Sequence, residues 1–235
     1  MKLTIYIPTY DRLNDLRELL DAIHPQIVDG VELFVSDNHG NAEELVAGYP
    51  NAKYIKRWQN IGCDGNCLNG LFTGTGEYVW VLGDDDRPAA YAVEHIMRHL
   101  DGVDRLILTS SACGETPVEF DGSMIELWAL LEDMSFIVAS TLCSMNVWRR
   151  KKMDAVEGAR RLDTRNVLAW AGMGCWSVKV MRIPTMRVGR HNPTPFPGFD
   201  ATMSEYTDAL AEHLGLPPVL FAEFNRWNYT NVRIR

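Results

Sequence analysis

The stretch Gly76–Asp86 reads GEYVWVLGDDD and is the clearest structural signal in the chain. Its first part, Glu77–Leu82, is rich in β-branched and aromatic residues, which predicts a buried strand. Gly83 and three aspartates follow. Parallel sheets bind their ligands beyond the carboxyl ends of the strands, which is where these aspartates would lie. Adjacent carboxylates repel one another, and Mg²⁺ or Mn²⁺ relieves that repulsion while also binding phosphate oxygens. A solvated acidic turn before the next helix is the alternative interpretation.

On both sides of this stretch, strand and helix signals alternate through residues 1–109. Strands are predicted at Leu3–Pro8, Val31–Ser36, Ala52–Trp58, Glu77–Leu82 and Arg105–Thr109. Helices are predicted at Leu13–His24 with Asp11 as N-cap, around Ala42–Ala47, from Asp64 to Phe72 and at Ala89–Leu100. This alternation is typical of βαβ units, so we predict an α/β fold with a mixed, mainly parallel sheet.

Beyond residue 110 the pattern is less regular. Helices are predicted at Ser123–Glu132, Asp163–Ala171 and Met203–Leu214, and strands at Phe136–Ser140, Trp176–Arg182 and Thr185–Val188. Three prolines within residues 189–198 predict a loop, reaching to about residue 202, that is long enough to act as a lid. Because no linker separates the two halves, we expect a single domain over residues 1–235.

The composition is that of an ordinary globular protein, with 46% hydrophobic and 23% charged residues. No apolar run approaches the roughly 20 residues that span a bilayer, and the first residues lack the pattern of a signal peptide. We therefore expect a soluble cytoplasmic protein without a transmembrane segment, and a peripheral position at a membrane surface stays open. The five cysteines are an odd number and scattered, which predicts free thiols rather than a disulfide framework.

The net charge of −8 is unevenly distributed along the chain. The segment from Arg149 to His191 holds 11 lysines and arginines against three acidic residues, a local charge of +8. Such asymmetry is typical of a face that meets an anionic partner, although a solvated basic helix face produces the same pattern.

Three further motifs lie at predicted strand ends or helix starts. The first strand runs into Ile7–Arg12, IPTYDR, where Thr9, Tyr10 and Arg12 can offer a hydroxyl, an aromatic face and a phosphate-binding cation. The second ends in Ser36–Asn38, SDN, which fits either a base or ribose contact or an Asx turn. Asn60–Asn66, NIGCDGN, is a glycine-containing turn before a helix, where backbone N–H groups can approach an anion.

Together with GEYVWVLGDDD, these motifs resemble the family 2 glycosyltransferases of the GT-A fold over residues 1 to about 100. Val147–Arg150, VWRR, is similar to a further segment of that family. The resemblance implies a nucleotide-sugar-binding half over residues 1–110 and an acceptor half over residues 111–235. It implies a nucleotide-diphosphate-sugar donor, with a UDP-sugar favoured, and Mn²⁺ or Mg²⁺ as cofactor.

The resemblance also implies roles for particular residues. The metal ligand would be Asp86, with Asp84 as second ligand or ribose contact and Asp85 in support. The implied donor contacts are Pro8, Thr9, Tyr10, Arg12, Asp37, Asn60 and Asn66.

Members of this family mostly invert the anomeric centre, which requires a general base beside the acceptor hydroxyl. Asp163 matches the family's catalytic aspartate, although Leu162 stands where the family has a glutamate. A helix N-cap is the alternative role for Asp163. The rival candidates for the base are Asp200, Glu205 and His191, and His191 could also bind the metal or a phosphate.

The acceptor is expected to be a glycan or a lipid-linked saccharide. A hydroxymethylated base in DNA is the alternative, because the basic segment would suit a polyanion. A nucleotidyltransferase and a non-catalytic nucleotide-sugar binder are further alternatives.

Overall fold

The computed structural model describes residues 1–109, 120–123, 143–162, 167–175 and 177–182, with Ala209 and Glu212 as single helical residues. The described strands are β1 Leu3–Thr9, β2 Val31–Asp37, β3 Ala52–Lys56, β4 Tyr78–Val81, β5 Arg105–Thr109, β6 Phe120–Ser123, β7 Asn146–Arg149 and β8 Ser177–Arg182. The described α-helices are α1 Leu13–Ile23, α2 Glu43–Ala47, α3 Gly62–Asn69, α4 Ala92–His99, α5 Ala155–Ala159 and α6 Val167–Ala171.

The strands form one sheet in the order β3-β2-β1-β4-β7-β5-β8-β6. The four N-terminal strands are parallel to one another, and β8 is parallel to β5. In contrast, β7 lies between β4 and β5 and is antiparallel to both, and β6 is antiparallel to β8. The predicted α/β class and mixed, mainly parallel sheet are therefore confirmed.

Side-chain alternation along the strands divides the core between the two faces of the sheet. In β1, Leu3, Ile5 and Ile7 point to the face covered by α1 and α4, whereas Tyr6 belongs to the cluster packed under α3 and α6. Helix α1 buries the predicted apolar stripe against the first of these faces: Leu16, Leu19, Leu20 and Ile23. Apolar side chains recur every two residues in the strands and about every 3.6 residues in the helix, and these two repeats place the apolar side chains between the sheet and the helices.

Several local predictions are wrong, each for a physical reason. Asp11 does not cap α1, because it is exposed and adopts a left-handed φ of 53°, and the N-cap position falls to Arg12. Ser123 ends strand β6 instead of starting a helix. Helix α5 was not predicted, although Asp154 caps it by accepting hydrogen bonds from the backbone N–H groups of Val156 and Glu157. The predicted strands Phe136–Ser140 and Thr185–Val188 and the lid loop 189–202 lie outside the described residues.

The antiparallel insertion of β7 is held by contacts across the sheet. Arg105 of β5 is buried, donates from Nε to Asn146 Oδ1 at 2.8 Å, and lies 4.2 Å from the centre of the Trp148 ring. The Trp148 ring in turn packs directly on the backbone of Gly172. One buried cation and one buried aromatic ring thus add to the backbone pairing of β7 with β4 and β5.

Within the described part of the chain, no helix combines the length and the apolar character needed to cross a membrane.

The packing of Trp148 on Gly172 predicts a large effect of a single methyl group. A Cβ at residue 172 would lie 2.2 Å from Trp148 Cζ3, so Gly172→Ala forces a buried ring to move. We expect the free energy of unfolding to fall by about 1–3 kcal/mol, measured by urea denaturation. Gly174→Ala is the matched control, because among the described residues its Cβ would meet only the Lys152 carbonyl oxygen, at 3.8 Å. Equal stability of the two variants would contradict this packing argument.

Candidate active site

The acidic turn lies where the direction of chain winding reverses. From β1 the chain adds β2 and β3 on one side, and β4 then returns to the other side of β1. Ligands of open α/β sheets bind at such a switch point, beyond the carboxyl ends of the strands. The structure closes this point with a hydrogen bond of 2.7 Å, which Thr9 at the end of β1 donates to Asp84 Oδ2 after β4. The ends of β1 and β4 therefore meet at the acidic turn.

Asp84 is fully buried and is engaged within the protein. Arg12 donates from Nε to Asp84 Oδ2 at 3.2 Å, and its Nη2 forms an ion pair with Asp84 Oδ1 at 2.5 Å without the alignment of a hydrogen bond. Burial raises the pKa of Asp84 to about 6, against the opposing effects of the Arg12 charge and the Thr9 hydroxyl. Asp84 is thus placed to hold the turn, and its oxygens face Arg12 rather than open space.

Asp85 and Asp86 occupy a different position from Asp84. A Cβ built on Gly83 would lie 3.0 Å from Asp86 Oδ2 and 3.2 Å from Asp85 Oδ1, so both carboxylates fold over the same side of Gly83. Asp85 Oδ2 also pairs with Arg12 Nη1 at 3.1 Å. A Cβ at residue 83 would push these carboxylates away by a few tenths of an ångström, so glycine allows their close approach.

Two residues that the sequence analysis missed hold the acidic turn in place. Ser144, just before β7, accepts a hydrogen bond from the Gly83 N–H at 2.8 Å. Arg87 donates from Nη1 to the carbonyl oxygens of Asp84 and Asp86 at 3.2 and 2.9 Å and pairs with Asp15 and Glu18 of α1. Nothing local in the sequence singles out Ser144, because its partner lies 61 residues away.

The carboxylates fit a divalent metal that also takes phosphate oxygens. Mg²⁺ and Mn²⁺ prefer oxygen ligands, and Mg²⁺ commonly uses only one or two carboxylates beside phosphates and water. Asp85 and Asp86 supply two such groups at one point. No group of three or more potential ligands among the described side chains forms a complete metal cage, so the remaining positions would fall to ligand and water.

The end of β2 is organised around the buried Asp37 carboxylate. It accepts hydrogen bonds from the backbone N–H groups of His39 and Ala42, each at 2.8 Å, and from the Tyr54 hydroxyl at 2.9 Å. Burial opposes ionisation, but these bonds and one from the Gly40 N–H outweigh it and hold the Asp37 pKa below 3.8. Asp37 therefore shapes the loop after β2, and its predicted donor contact stays a prediction.

Asn66 is likewise used inside the protein. Its Oδ1 accepts from Tyr6 and Ser36 at 2.9 and 2.7 Å, and its Nδ2 donates to the Ser36 carbonyl at 2.9 Å. Arg57 donates to the hydroxyls of both Tyr6 and Ser36, which completes a buried network between α3 and the sheet. This network fixes α3 beside the strand ends, while the predicted contact of Asn66 with the donor stays a prediction.

The remaining predicted donor residues lie along the rim of the same sheet edge. Tyr10 is half exposed and meets His39 edge-on, with ring centres 5.3 Å apart. Asn60 accepts from the Gly62 N–H at 2.9 Å and so orders the first turn of α3. Pro8 sits within β1, directly before Thr9.

Several described cations of the basic segment lie beside an acidic residue. Arg149 pairs with Glu77 and Asp104, and Lys152 also pairs with Asp104. Arg160 and Arg161 both pair with Glu157. These pairs weaken the charge argument for a polyanionic acceptor. The predicted catalytic and lid residues Asp163, His191, Asp200 and Glu205 lie outside the described residues.

Comparison with known sequences identifies the family. The sequence profile of Glycosyl transferase family 2 matches residues 4–154, which is well over half of the chain. The chain belongs to this family. The resemblance found in the sequence motifs is therefore confirmed, and the acidic turn, the β1 end and the α3 loop all lie within the matched residues of the family 2 domain.

Two proteins with similar sequences are named as glycosyltransferases. The abequosyltransferase RfbV of Salmonella typhimurium is 31% identical over 110 residues, which cover 43% of this chain and 33% of that protein. The GalNAc(5)-diNAcBac-PP-undecaprenol β-1,3-glucosyltransferase of Campylobacter jejuni is 30% identical over 105 residues, which cover 41% and 34%. The matches thus extend over about one third of each relative.

Solved structures confirm the predicted GT-A fold of this family 2 chain. TarS of S. aureus (residues 1–349, with UDP-GlcNAc) has a TM-score of 0.66 at 15% identity, covering 98% of this chain and 73% of TarS. Glucosyl-3-phosphoglycerate synthase of Mycobacterium tuberculosis, solved with Mn²⁺, UDP and glucosyl-3-phosphoglycerate, has a TM-score of 0.53 at 16% identity, covering 92% and 81%. At these identities the likeness extends to the fold alone.

The hydrogen bonds of Asp37 predict a pH-dependent contribution to stability. Because its folded pKa lies below 3.8, Asp37 stabilises the protein above that pH, and the contribution is lost as the pH falls through the folded pKa. Asp37→Asn leaves an NH₂ group facing donors, so we expect a loss of about 1–3 kcal/mol at pH 7. The difference from wild type should shrink below pH 3.8, measured by urea unfolding across the pH range.

Tyr54→Phe is the control for this experiment. It removes one of the donors but keeps the carboxylate and its backbone hydrogen bonds, so a pH-dependent contribution should survive. A difference between wild type and Asp37→Asn that stays constant from pH 7 to below the folded pKa would contradict the assignment.

Proposed function

We propose that the chain is a glycosyltransferase that transfers a sugar from a nucleoside-diphosphate donor, with a UDP-sugar favoured, to an acceptor hydroxyl. The observation that carries the proposal is the acidic turn at the β1–β4 switch point of a family 2 glycosyltransferase domain, where Thr9 and Arg12 hold Asp84. The names of similar structures support it, because they include UDP, UDP-GlcNAc and Mn²⁺ or Mg²⁺.

Asp86 and Asp85 would hold Mn²⁺ or Mg²⁺ in this proposal. Bound there, the metal would supply positive charge to the diphosphate leaving group. Asp84 becomes a positioning residue, because Thr9 and Arg12 donate hydrogen bonds to its Oδ2 and Arg12 forms an ion pair with its Oδ1. Arg12 has about a third of its side chain exposed and fixes two neighbouring aspartates at once, so it sets the orientation of the turn toward the donor.

The acceptor side is proposed from the sequence. Residues 1–110 would form the donor half and residues 111–235 the acceptor half, with a lid over about residues 189–202. Inversion needs a base that removes the proton of the acceptor hydroxyl, and we propose Asp163, with Asp200, Glu205 and His191 as alternatives. His191 would otherwise contact the metal or a phosphate from the lid.

We propose a lipid-linked saccharide or another glycan as acceptor, in the cytoplasm or at its membrane surface. The Campylobacter relative supports this choice, because its name describes an undecaprenol-linked saccharide. A hydroxymethylated base in DNA is the weaker candidate, since the described basic side chains Arg149, Lys152, Arg160 and Arg161 already have acidic partners.

The proposed metal site predicts the effect of Asp86→Asn. We expect transfer to fall by about 10²-fold or more and the Mn²⁺-dependent rise in melting temperature with UDP to disappear, because the proposed metal ligand is lost. The measurements are release of UDP from a panel of UDP-sugars and thermal unfolding with Mn²⁺ and UDP. EDTA should produce the same two losses in the wild-type protein.

Asp101→Asn is the matched control for Asp86→Asn. Asp101 is an exposed aspartate that pairs with Lys2 near the start of β1, away from the acidic turn, so transfer should be unchanged. Wild-type turnover by Asp86→Asn would overturn the metal site. If UDP and Mn²⁺ stabilise the protein but no donor and acceptor pair yields UDP, the protein is a non-catalytic binder. If the protein instead releases pyrophosphate from UTP, it is a nucleotidyltransferase.

The proposed base predicts a separation of binding from turnover. Asp163→Asn should lower kcat by about 10²-fold or more, because a general base is lost, while stabilisation by UDP and Mn²⁺ persists. Asparagine can still cap a helix, so the melting temperature of the free protein should barely change. Normal transfer by this variant would move the role to Asp200, Glu205 or His191, each of which has its own asparagine or glutamine variant as the next test.

A further inference from the structure

Three cysteine thiols meet between α3 and the segment that precedes β7. Cys67 is buried in the core cluster under α3, and the partly buried Cys143 packs against that cluster. The neighbouring thiols of Cys143 and Cys63 both raise the pKa of the Cys67 thiol. Cys63 lies one helical turn before Cys67 and is exposed to solvent. The sequence gives no hint of the cluster, because Cys143 is remote in the chain.

The cluster touches both elements that shape the candidate site. Cys143 directly precedes Ser144, whose hydroxyl accepts the hydrogen bond from Gly83 in the acidic turn. On the other side, Cys63 lies in the first turn of α3, where the Gly62 carbonyl accepts a hydrogen bond of 3.0 Å from Asn38 after β2. A covalent change within the cluster would therefore act on the two supports of the site.

We propose that Cys63, Cys67 and Cys143 form an oxidation site that takes hydrogen peroxide as its oxidant and closes a reversible disulfide on Cys67. The exposed Cys63 thiolate attacks the peroxide oxygen, becomes a sulfenic acid and releases water once the leaving hydroxide is protonated. The Cys67 sulfur then attacks the Cys63 sulfur, the S–O bond breaks, and the Cys67 proton leaves with the hydroxyl group as a second water. Two thiols are oxidised, and one peroxide is reduced to two waters.

The order of these steps follows from exposure. The neighbouring thiols of Cys143 and Cys63, together with burial, raise the pKa of the Cys67 thiol well above 9.0, so Cys67 stays protonated while the helix is intact. An oxidant dissolved in water reaches Cys63 first because that residue is exposed. Cys143 can afterwards attack the new bond by thiol–disulfide exchange, which would leave Cys67 joined to Cys143 and free Cys63.

Disulfide closure has a structural cost in α3. Cα atoms four residues apart in an α-helix are separated by about 6 Å, within the range that a disulfide spans. The two Cβ atoms must nevertheless approach to about 4 Å, so the first turn of α3 has to unwind. Unwinding would break the contact of Gly62 with Asn38 and loosen the loop before α3. Oxidation should therefore weaken donor binding, an effect that rests on the proposed function.

The chemical part of the proposal is tested on the full chain without any donor. Hydrogen peroxide should convert two free thiols into a disulfide that contains Cys67, identified by peptide mass mapping and reversed by dithiothreitol. Cys63→Ser should slow its formation at least about tenfold, because the exposed thiol is lost. Cys175→Ser is the matched control, since Cys175 is buried near the Lys152 carbonyl and should leave the rate unchanged. A Cys67 thiol that stays reduced, or Cys63→Ser oxidising at the wild-type rate, would overturn the site.

The functional part is read from thermal unfolding with Mn²⁺ and UDP. The stabilisation by UDP should decrease in the oxidised wild type, return after reduction, and persist in peroxide-treated Cys67→Ser. Undiminished stabilisation in a protein that has formed the disulfide would overturn the link to the donor site. A reduced protein that UDP never stabilises would instead count against the proposed function, while the disulfide map would still decide the oxidation site.

Discussion

The ion pair between Arg12 and the buried Asp84 is the interaction on which the candidate site depends. A carboxylate without solvent exposure is costly unless charge and hydrogen bonds compensate it, and here Arg12 and Thr9 supply both. The residues come from the ends of two neighbouring strands, so the compensation also ties β1 to β4. Removing one partner would leave a buried charge uncompensated, so the positions of both strand ends depend on this pair.

Buried polar groups on the other side of the switch point are also compensated by hydrogen bonds. Asp37 collects backbone N–H groups of the loop after β2, and Asn66 collects the hydroxyls of Tyr6 and Ser36. Both side chains are buried, and their hydrogen bonds fix the loop after β2 and helix α3 beside the strand ends. The exposed groups at this edge are the Tyr10 ring and part of the Arg12 side chain.

This division between support and contact changes the meaning of the family motifs. From the sequence alone, the three aspartates after β4 can all be interpreted as metal ligands. Their positions differ, because Thr9 and Arg12 hold the Asp84 carboxylate, whereas the carboxylates of Asp85 and Asp86 lie over Gly83. Asp85 also pairs with Arg12. Arg87 and Ser144 complete the turn from α1 and from the segment before β7. The acidic triplet therefore combines Asp84, which Thr9 and Arg12 hold, with Asp85 and Asp86, whose carboxylates lie over Gly83.

The sequence by itself determined the class of the fold, most strand positions and the place of the site. Periodicity is a local property, so Leu16 and Ile23 marked the buried face of α1, and the bounds of Arg105–Thr109 coincide with those of β5. Parallel strands bring their carboxyl ends together, so Thr9 and Asp84 could be expected to meet. Only the tertiary structure decided that β7 inserts antiparallel between β4 and β5. It also decided that Asp84 forms an ion pair with Arg12 and that Cys143 packs near Cys67. These facts depend on burial and on contacts between residues far apart in the chain, and neither is encoded in local spacing.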